Sequence, residues 1–169
     1  MPKIELHYSK NNVNKAGLDL INANSSSHKE SKIILDNWRS CHIAPLNSFQ
    51  TSLRITLKLI DPDALVSQRL KRAPSIISKI ERIHGMSLAR MQDIGGIRAV
   101  VSNMNEVRRL EQHYKNGTRA FTIVNGGKDY INYPKPSGYR SVHQIFKCRN
   151  GFSIELQIRT KIQHSWATA

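Results

Sequence analysis

The chain has 169 residues, 39% of them hydrophobic and 22% charged, which is the composition of one globular domain with a buried core. Its formal net charge of +14 predicts a polyanionic partner, such as a nucleotide, a nucleic acid or an acidic protein, although a basic surface that only aids solubility is the competing interpretation. Two cysteines without ligand spacing argue against structural zinc, and the lack of a signal peptide or membrane-length apolar run predicts a cytoplasmic protein.

Residues 1–44 are predicted to form an N-terminal segment that is either helical or mobile. The stretch from Ser9 to Ser31 is rich in Asn, Ser and Lys and has only a weak apolar stripe. Ser31 is a suitable N-cap for a helix that ends near His42. The apolar positions of the two segments are Val13, Leu18 and Ile21, and then Ile34, Trp38 and Cys41.

Residues 45–169 are predicted to form one domain that mixes helices and strands. Apolar side chains recur at helical spacing after Pro45 and again after Pro74. Buried strands are predicted at 97–101, 121–124, 142–148 and 151–159, and a further helix at 105–116. The two predicted turns are Asn125-Gly126-Gly127 and the hairpin turn Arg149-Asn150-Gly151. Thr160 is a suitable cap for a last helix with Ile162 and Trp166, and because no stop signal follows, the chain is expected to be either truncated or a short family member.

The last predicted strand separates apolar from polar side chains. Phe152, Ile154, Leu156 and Ile158 fall on one face, and Ser153, Glu155, Gln157 and Arg159 fall on the other. Glu155 is the only carboxylate from Tyr130 to the C-terminus, and it lies among Lys and Arg residues. A lone acid in a basic field indicates a metal ligand or a base near phosphates.

Two further clusters suit the same chemistry. Arg69 and Lys71 precede a predicted helix N-terminus, where backbone donors favour anions, and Lys79 follows one turn later; a solvated helix end is the alternative. Asp93 enters a strand through two glycines, which suits a ligand approached closely by backbone, unless it only stabilises a turn. Asp93 and Glu155, on separate elements, can together hold a Mg²⁺ with oxygen ligands.

The segment around Gly138 offers an aromatic ring beside cations. Lys135 lies in a stiff Pro-rich bend, and Tyr139 either stacks on a base or belongs to the core. His143 lies opposite the core residues of its strand and is either a phosphate donor or a structural histidine. His164 and Trp166 are expected to pack or cap rather than to catalyse.

Four ordered motifs resemble the synthetase domain of the RelA/SpoT-homologue alarmone synthetases. They are Arg69–Lys79, Asp93–Arg98, Tyr130–His143 and Glu155–Thr160. The resemblance implies an α+β fold with a mixed sheet of about five strands flanked by helices, similar to nucleotidyltransferases. It also implies a pyrophosphokinase that transfers the β,γ-pyrophosphate of ATP to the ribose 3′-hydroxyl of GDP or GTP and releases AMP.

The resemblance also implies a role for each motif residue. The ATP-binding residues it implies are Arg69 and Arg98 around the adenine, and Lys71, Ser75 and Lys79 at the phosphates. The catalytic residues it implies are the Mg²⁺ ligands Asp93 and Glu155, with Glu155 also taking the 3′-hydroxyl proton, and Gln157 as its support. The acceptor-binding residues it implies are Tyr139, stacked on the base, and Lys135, Arg140 and His143 at the acceptor phosphates.

The segments Met91–Gly96 and Gln163–Ala169 resemble the toxin branch of the small synthetases. In that branch some members modify the 3′ CCA end of tRNA and others make adenosine alarmones, and many pair with a neutralising antitoxin protein. A tRNA acceptor therefore stays open beside the nucleotide acceptor, and so does a catalytically silent RNA-binding module on the same fold. For tRNA, the expected backbone contacts are Lys10, Lys15, Lys29, Lys32, Arg108, Arg109 and Lys115.

Overall fold

A computed structural model describes residues 5–22 and 24–168 of the chain. Residues 1–4, 23 and 169 lie outside the described residues, and they include parts of the predicted N-terminal segment and the end of the Gln163–Ala169 motif. The helices are α1 Lys10–Ile21, α2 His28–Ser40, α3 Ile43–Ile60, α4 Ala73–Arg82, a 3-10 turn Leu88–Arg90, α5 Met104–Tyr114 and α6 Lys161–Trp166. The strands are β1 Leu65–Leu70, β2 Gly95–Val101, β3 Phe121–Asp129, β4 Val142–Cys148 and β5 Ser153–Thr160.

The strands form one mixed five-stranded sheet in the order β1-β2-β5-β4-β3. β2 and β5 are parallel, and the other neighbours are antiparallel. This sheet confirms the predicted α+β class and its strand number. The sequence pattern does not predict β1, because this edge strand leaves most of its side chains exposed or half-buried and so carries no regular apolar alternation.

One face of the sheet packs against α3 and α5. Ile154, Leu156 and Ile158 of β5 lie in this core together with Phe49 and Leu110 of the two helices. The predicted alternation is therefore confirmed from Ile154 to Arg159, since the opposite face carries Glu155, Gln157 and Arg159. It is wrong for Phe152, which precedes β5 and packs against Trp38 of α2. Burial of the apolar face fixes which side chains reach the other side of the sheet.

A second apolar cluster joins the N-terminal helices to the rest of the chain. Val13 and Ala16 of α1 pack with Trp38 of α2, with Ile76 and Ile80 of α4 and with neighbours of the 3-10 turn. The predicted stripe of α1 is wrong at Leu18 and Ile21, which are 57% and 36% exposed, because Ala16 and Leu20 face the partner helices instead. Ser31 is likewise no N-cap: it is buried inside α2 and its hydroxyl donates to Asp19 at 3.3 Å.

The segment Asn125-Gly126-Gly127 does not form the predicted turn. β3 continues through it to Asp129, and the pairing with β4 shifts register between Val124 and Lys128. A Cβ atom on Gly127 would lie 2.8 Å from the carbonyl oxygen of His143. The glycine is needed because the bulged strand passes this close to β4.

The C-terminal helix begins with the predicted cap. Thr160 accepts from the backbone of Gln163, whose side chain bonds back to Thr160 in a capping box. Ile162 and Trp166 are 83% and 67% exposed, so they do not anchor this helix in the core. Across the described residues, the helices are too short or too polar to cross a bilayer.

Candidate functional site

The polar face of the sheet forms the floor of an open cleft of about 420 Å³. Most of the predicted site residues line it, and Ser75 and Arg140 do not. The predicted residues in its wall are Arg69, Lys71, Lys79, Asp93, Arg98, Lys135, Tyr139, His143, Glu155 and Gln157. The other lining residues had no predicted site role, and they are Arg82, Tyr130, Arg159, Ala167 and Thr168.

Asp93 is held between two lysines just before the start of β2. One of its carboxylate oxygens lies 3.0 Å from the ammonium of Lys71 and 2.8 Å from that of Lys79. Burial raises the pKa of Asp93, but hydrogen bonds from Lys79 and Lys71 outweigh burial and leave the pKa below its ordinary value. The other oxygen is buried and has no hydrogen-bond partner among the described residues.

The local fold explains why Asp93, Lys71 and Lys79 lie next to one another. The backbone N–H of Lys71 donates to the carbonyl of Ile94 at 2.8 Å, which joins the end of β1 to the start of β2. A Cβ atom on Gly95 would lie 3.2 Å from Leu46, so the glycine lets β2 approach α3 closely. Lys79 reaches the same carboxylate from α4.

Glu155 is fixed at both of its oxygens. His143 donates from Nδ1 to one oxygen at 2.8 Å, and the amide of Gln157 donates to the other at 2.8 Å. Nε2 of His143 lies 2.9 Å from the hydroxyl of Tyr139, so the hydrogen bonds run continuously from Tyr139 to Gln157. Burial and the nearby charge of Asp93 raise the pKa of Glu155. The hydrogen bonds from His143 and Gln157 and the interaction with His143 outweigh them, so the pKa lies below its ordinary value.

Aromatic rings and Lys135 form the opposite wall of the cleft. Tyr130, Tyr139 and His143 meet edge to face with centroids 5.1 to 5.8 Å apart. The ammonium of Lys135 lies 4.5 Å from the ring centre of Tyr130 and 5.0 Å from that of Tyr139. Tyr139 is half-buried at the cleft, not a core residue. Arg140 instead donates to the carbonyl of Ile131 at 3.2 Å.

Guanidinium groups line the far end of the cleft. Arg69 and Arg98 also line a smaller pocket of about 180 Å³ beside β1 and β2. Burial and then the charge of Arg69 lower the pKa of Arg98. The neighbouring Arg159 carried one sequence signal that could have identified it, namely its place on the same strand face as Glu155 and Gln157. For Tyr130, the one sequence signal was its membership in the Tyr130–His143 motif.

The two carboxylates of the cleft fit a Mg²⁺ ion. No cluster of three or more His, Cys, Asp or Glu side chains occurs in the described part of the chain, so the protein itself offers few ligands. The buried oxygen of Asp93 that has no hydrogen-bond partner among the described residues is a hard donor atom suited to the ion, and Glu155 is close enough for its pKa to respond to Asp93. Mg²⁺ prefers oxygen ligands and commonly takes one or two carboxylates, with water and substrate phosphates as the rest.

Comparisons with known proteins identify the family of the chain. The family model described as "Region found in RelA / SpoT proteins" matches residues 68–169. A GTP pyrophosphokinase of Bacillus subtilis is 32% identical over 116 residues, which make up 63% of this chain and 54% of the relative. A probable chloroplastic GTP diphosphokinase of Oryza sativa is 32% identical over 144 residues, 83% of this chain and 19% of the relative. The chain thus spans only part of the relatives it matches.

Solved structures give the same picture. A GTP pyrophosphokinase family protein from Streptococcus pneumoniae superposes with a TM-score of 0.69 at 28% identity, over 79% of this chain and 72% of that one. Small alarmone synthetase 1 of Bacillus subtilis bound to its product pppGpp gives 0.61 at 28% identity, over 79% and 78% of the two chains. These matches cover most of each compared protein.

Proposed function

Because the chain belongs to the RelA/SpoT family, we propose that it is an ATP-dependent pyrophosphokinase whose acceptor is a guanine nucleotide. In this reaction the ribose 3′-oxygen of the acceptor bonds to the β-phosphorus of ATP. The bond from that phosphorus to the α,β-bridging oxygen breaks, and AMP leaves. The names of the relatives, GTP pyrophosphokinase and GTP diphosphokinase, support this substrate class.

The observation that carries the proposal is the state of Glu155. Both of its oxygens are engaged by His143 and Gln157, and its lowered pKa keeps it ionised at neutral pH. An ionised, oriented carboxylate at the cleft floor can take the proton of a hydroxyl group that approaches it. Gln157 orients it from one side, and His143 links it to Tyr139 on the other.

The donor is assigned to the side of the cleft with Asp93. Lys71 and Lys79 are held there by the carboxylate of Asp93, and their ammonium groups can bind the phosphates of ATP instead. Arg69 and Arg98 line the adjoining pocket, and planar guanidinium groups stack well on a purine. Ser75 lies on α4 outside the cleft lining, so its contact with ATP remains a prediction.

Magnesium belongs to the same proposal. Asp93 and Glu155 would hold the ion, and when bound it neutralises charge on the polyphosphate. Release of Lys71 and Lys79 from Asp93 toward the phosphates would leave both Asp93 oxygens available for the ion.

The acceptor is assigned to the aromatic wall. The ring of Tyr139 is reachable from the cleft, and Lys135 beside it is an exposed cation for an acceptor phosphate. Arg140 lies outside the cleft lining, which makes its predicted phosphate contact the least supported of the acceptor assignments. An antitoxin partner remains a prediction from the toxin-branch motifs.

One experiment separates the acceptors. The protein is incubated with γ-labelled ATP and, separately, with GDP, GTP, ADP, ATP and bulk tRNA. We expect label in GDP or GTP and an equal amount of AMP, and neither with Glu155→Gln. Label only in tRNA, or only in adenine nucleotides, would favour the corresponding toxin activity. RNA binding without AMP release would favour the silent RNA-binding module.

A further inference from the structure

Arg159 is an unusual cation because it is buried and has no counter-ion. Its side chain is 1% exposed, yet it lines the cleft. No carboxylate of the described residues lies within ion-pair distance of it, and its Nε atom has no hydrogen-bond partner there. A buried guanidinium without a compensating anion costs free energy.

Neighbouring charges increase that cost. Burial, and then the positive charges of Arg98 and Arg69, lower the pKa of Arg159. The Nε atom of Arg98 is also buried and unpartnered among the described residues. Three guanidinium groups thus line the cleft, and none of them lies within ion-pair distance of a carboxylate of the described residues. Such an arrangement is stabilised by an anion that enters from solution.

His164 is the one side chain of the described residues that bonds to Arg159. A guanidinium only donates, so the donor is Nη2 of Arg159 and the acceptor is Nδ1 of His164. The ring must therefore carry its proton on Nε2. The capping box at Thr160 fixes the start of α6 immediately after Arg159, and the hydroxyl of Thr168 donates to the carbonyl of His164 at 2.9 Å.

We propose that Arg159 binds a phosphate group of a nucleotide in this cleft, and that His164 is the positioning residue that holds its guanidinium ready. The inference rests on the proposed function for the identity of the nucleotide, but the phosphate chemistry stands on the unpaired buried charge alone. The uncompensated charge of Arg159 would then destabilise the nucleotide-free protein, and its guanidinium would contact a phosphate when the nucleotide is bound.

Calorimetric titration of wild type and Arg159→Met with inorganic tripolyphosphate, ATP, GDP and adenosine tests the proposal. We expect the Kd for tripolyphosphate and for ATP or GDP to rise about tenfold or more, the loss typical of a charge-assisted hydrogen bond. Whichever of ATP and GDP loses more identifies the phosphate source. Adenosine binding should not change. Arg149→Met, at an exposed turn position, removes the same charge and should change none of these.

The Tm of the nucleotide-free protein distinguishes a phosphate-binding arginine from a structural one, because replacing a structural arginine would lower Tm. Arg159→Met should keep or raise Tm, because it removes an uncompensated buried charge and retains side-chain volume. A lower Tm with unchanged Kd values would make Arg159 a structural residue and overturn the proposal. So would a wild type that binds neither tripolyphosphate nor a nucleotide, or an equal loss of adenosine binding.

The role of His164 is tested by a double-mutant cycle. His164→Leu should weaken tripolyphosphate binding in the wild type but not in Arg159→Met, and His164→Gln, whose carbonyl can accept, should restore it. Full effect of His164→Leu in both backgrounds would remove His164 from the proposal. If phosphate binding depends on Arg159 but the protein transfers no pyrophosphate, the proposed function is overturned and this inference stands. If the protein transfers pyrophosphate but Arg159→Met binds phosphate like the wild type, this inference is overturned and the proposed function stands.

Discussion

At the scale of single residues, Asp93 combines two opposed roles. It neutralises Lys71 and Lys79 in the empty cleft, and one of its oxygens has no hydrogen-bond partner in the described part of the chain. Asp93→Asn removes the metal charge partner but frees both lysines for phosphates. We therefore expect transfer to be abolished while ATP binding in the absence of Mg²⁺ is retained or strengthened, measured by AMP release and by calorimetry.

The matched control is Asp36→Asn. Asp36 also pairs with an arginine, at 2.9 Å, but its side chain is 65% exposed and lies on α2 outside the cleft. This variant should keep normal transfer. Near-normal turnover of Asp93→Asn would show that the metal assignment is wrong.

Tyr139 can be dissected into its ring and its hydroxyl. Tyr139→Ala should weaken acceptor binding by roughly 1–3 kcal/mol, the range of base–aromatic stacking, and leave ATP binding almost unchanged. Tyr139→Phe keeps the ring and loses only the bond to His143, so it should retain acceptor affinity. Equal weakening of ATP and acceptor together with a lower Tm in Tyr139→Ala would instead indicate a packing role.

At the scale of elements, the junction of α2, α3 and the β4–β5 hairpin contains a buried histidine. His42 forms no hydrogen bond with a charged group among residues 5–22 and 24–168. Its Nδ1 atom lies 2.9 Å from the carbonyl oxygen of Trp38, and the centre of its ring lies 4.7 Å from that of Phe152. Burial lowers the pKa of His42 from 6.5 to about 4. The unfolded chain therefore takes up a proton at a higher pH than the folded one.

The sign of the pH dependence follows from that difference. The contribution of a neutral His42 to stability is complete above pH 6.5 and is lost as the pH falls toward about 4. The full loss is on the order of 3 kcal/mol. Urea unfolding at pH 7 and at pH 4.5 should show that His42→Gln loses less stability than wild type over this interval. His84→Gln, at an exposed position, should behave like wild type, and an unchanged pH dependence in His42→Gln would contradict the burial argument.

At the scale of the whole molecule, ion pairs determine which basic residues are available to a polyanion. Arg108 lies 2.7 Å from Glu111 and 2.8 Å from Asp129, and Arg109 lies 2.8 Å from Glu106. These two arginines are therefore poor candidates for tRNA contacts, contrary to the expectation from sequence. Lys10, Lys29 and Lys32, on α1 and α2, are exposed and suit the role better.

The salt dependence of acceptor binding measures this difference. A guanine nucleotide engages few phosphates, so its apparent affinity should fall only slightly as salt rises, whereas tRNA binding releases many counter-ions and should fall steeply. Replacement of Lys10, Lys29 and Lys32 by Gln should leave transfer to GDP unchanged and flatten only a tRNA slope. A steep slope together with label transfer to tRNA would overturn the guanine-nucleotide acceptor.

Sequence alone was sufficient where local chemistry determines structure. The period of two along β5 predicted that Glu155 and Gln157 share a face, because strand side chains alternate whatever the surroundings. The cap at Thr160 and the turn before Gly151 follow from similarly local rules, and both are confirmed. The four motifs led to the family, and most of the site residues predicted within them line one cleft.

Only the tertiary structure decided features that depend on what approaches from elsewhere in the chain. Gly127 lies in a bulged strand and not in a turn because β4 passes close to it. Residues 65–70 form a strand because β2 supplies its hydrogen bonds. The lack of an ion-pair partner for Arg159 among the described residues could not be predicted from a segment rich in basic residues, since counter-ions come from distant positions. Periodicity and capping act within a few residues, whereas register, ion pairing and burial are set by contacts between elements far apart in sequence.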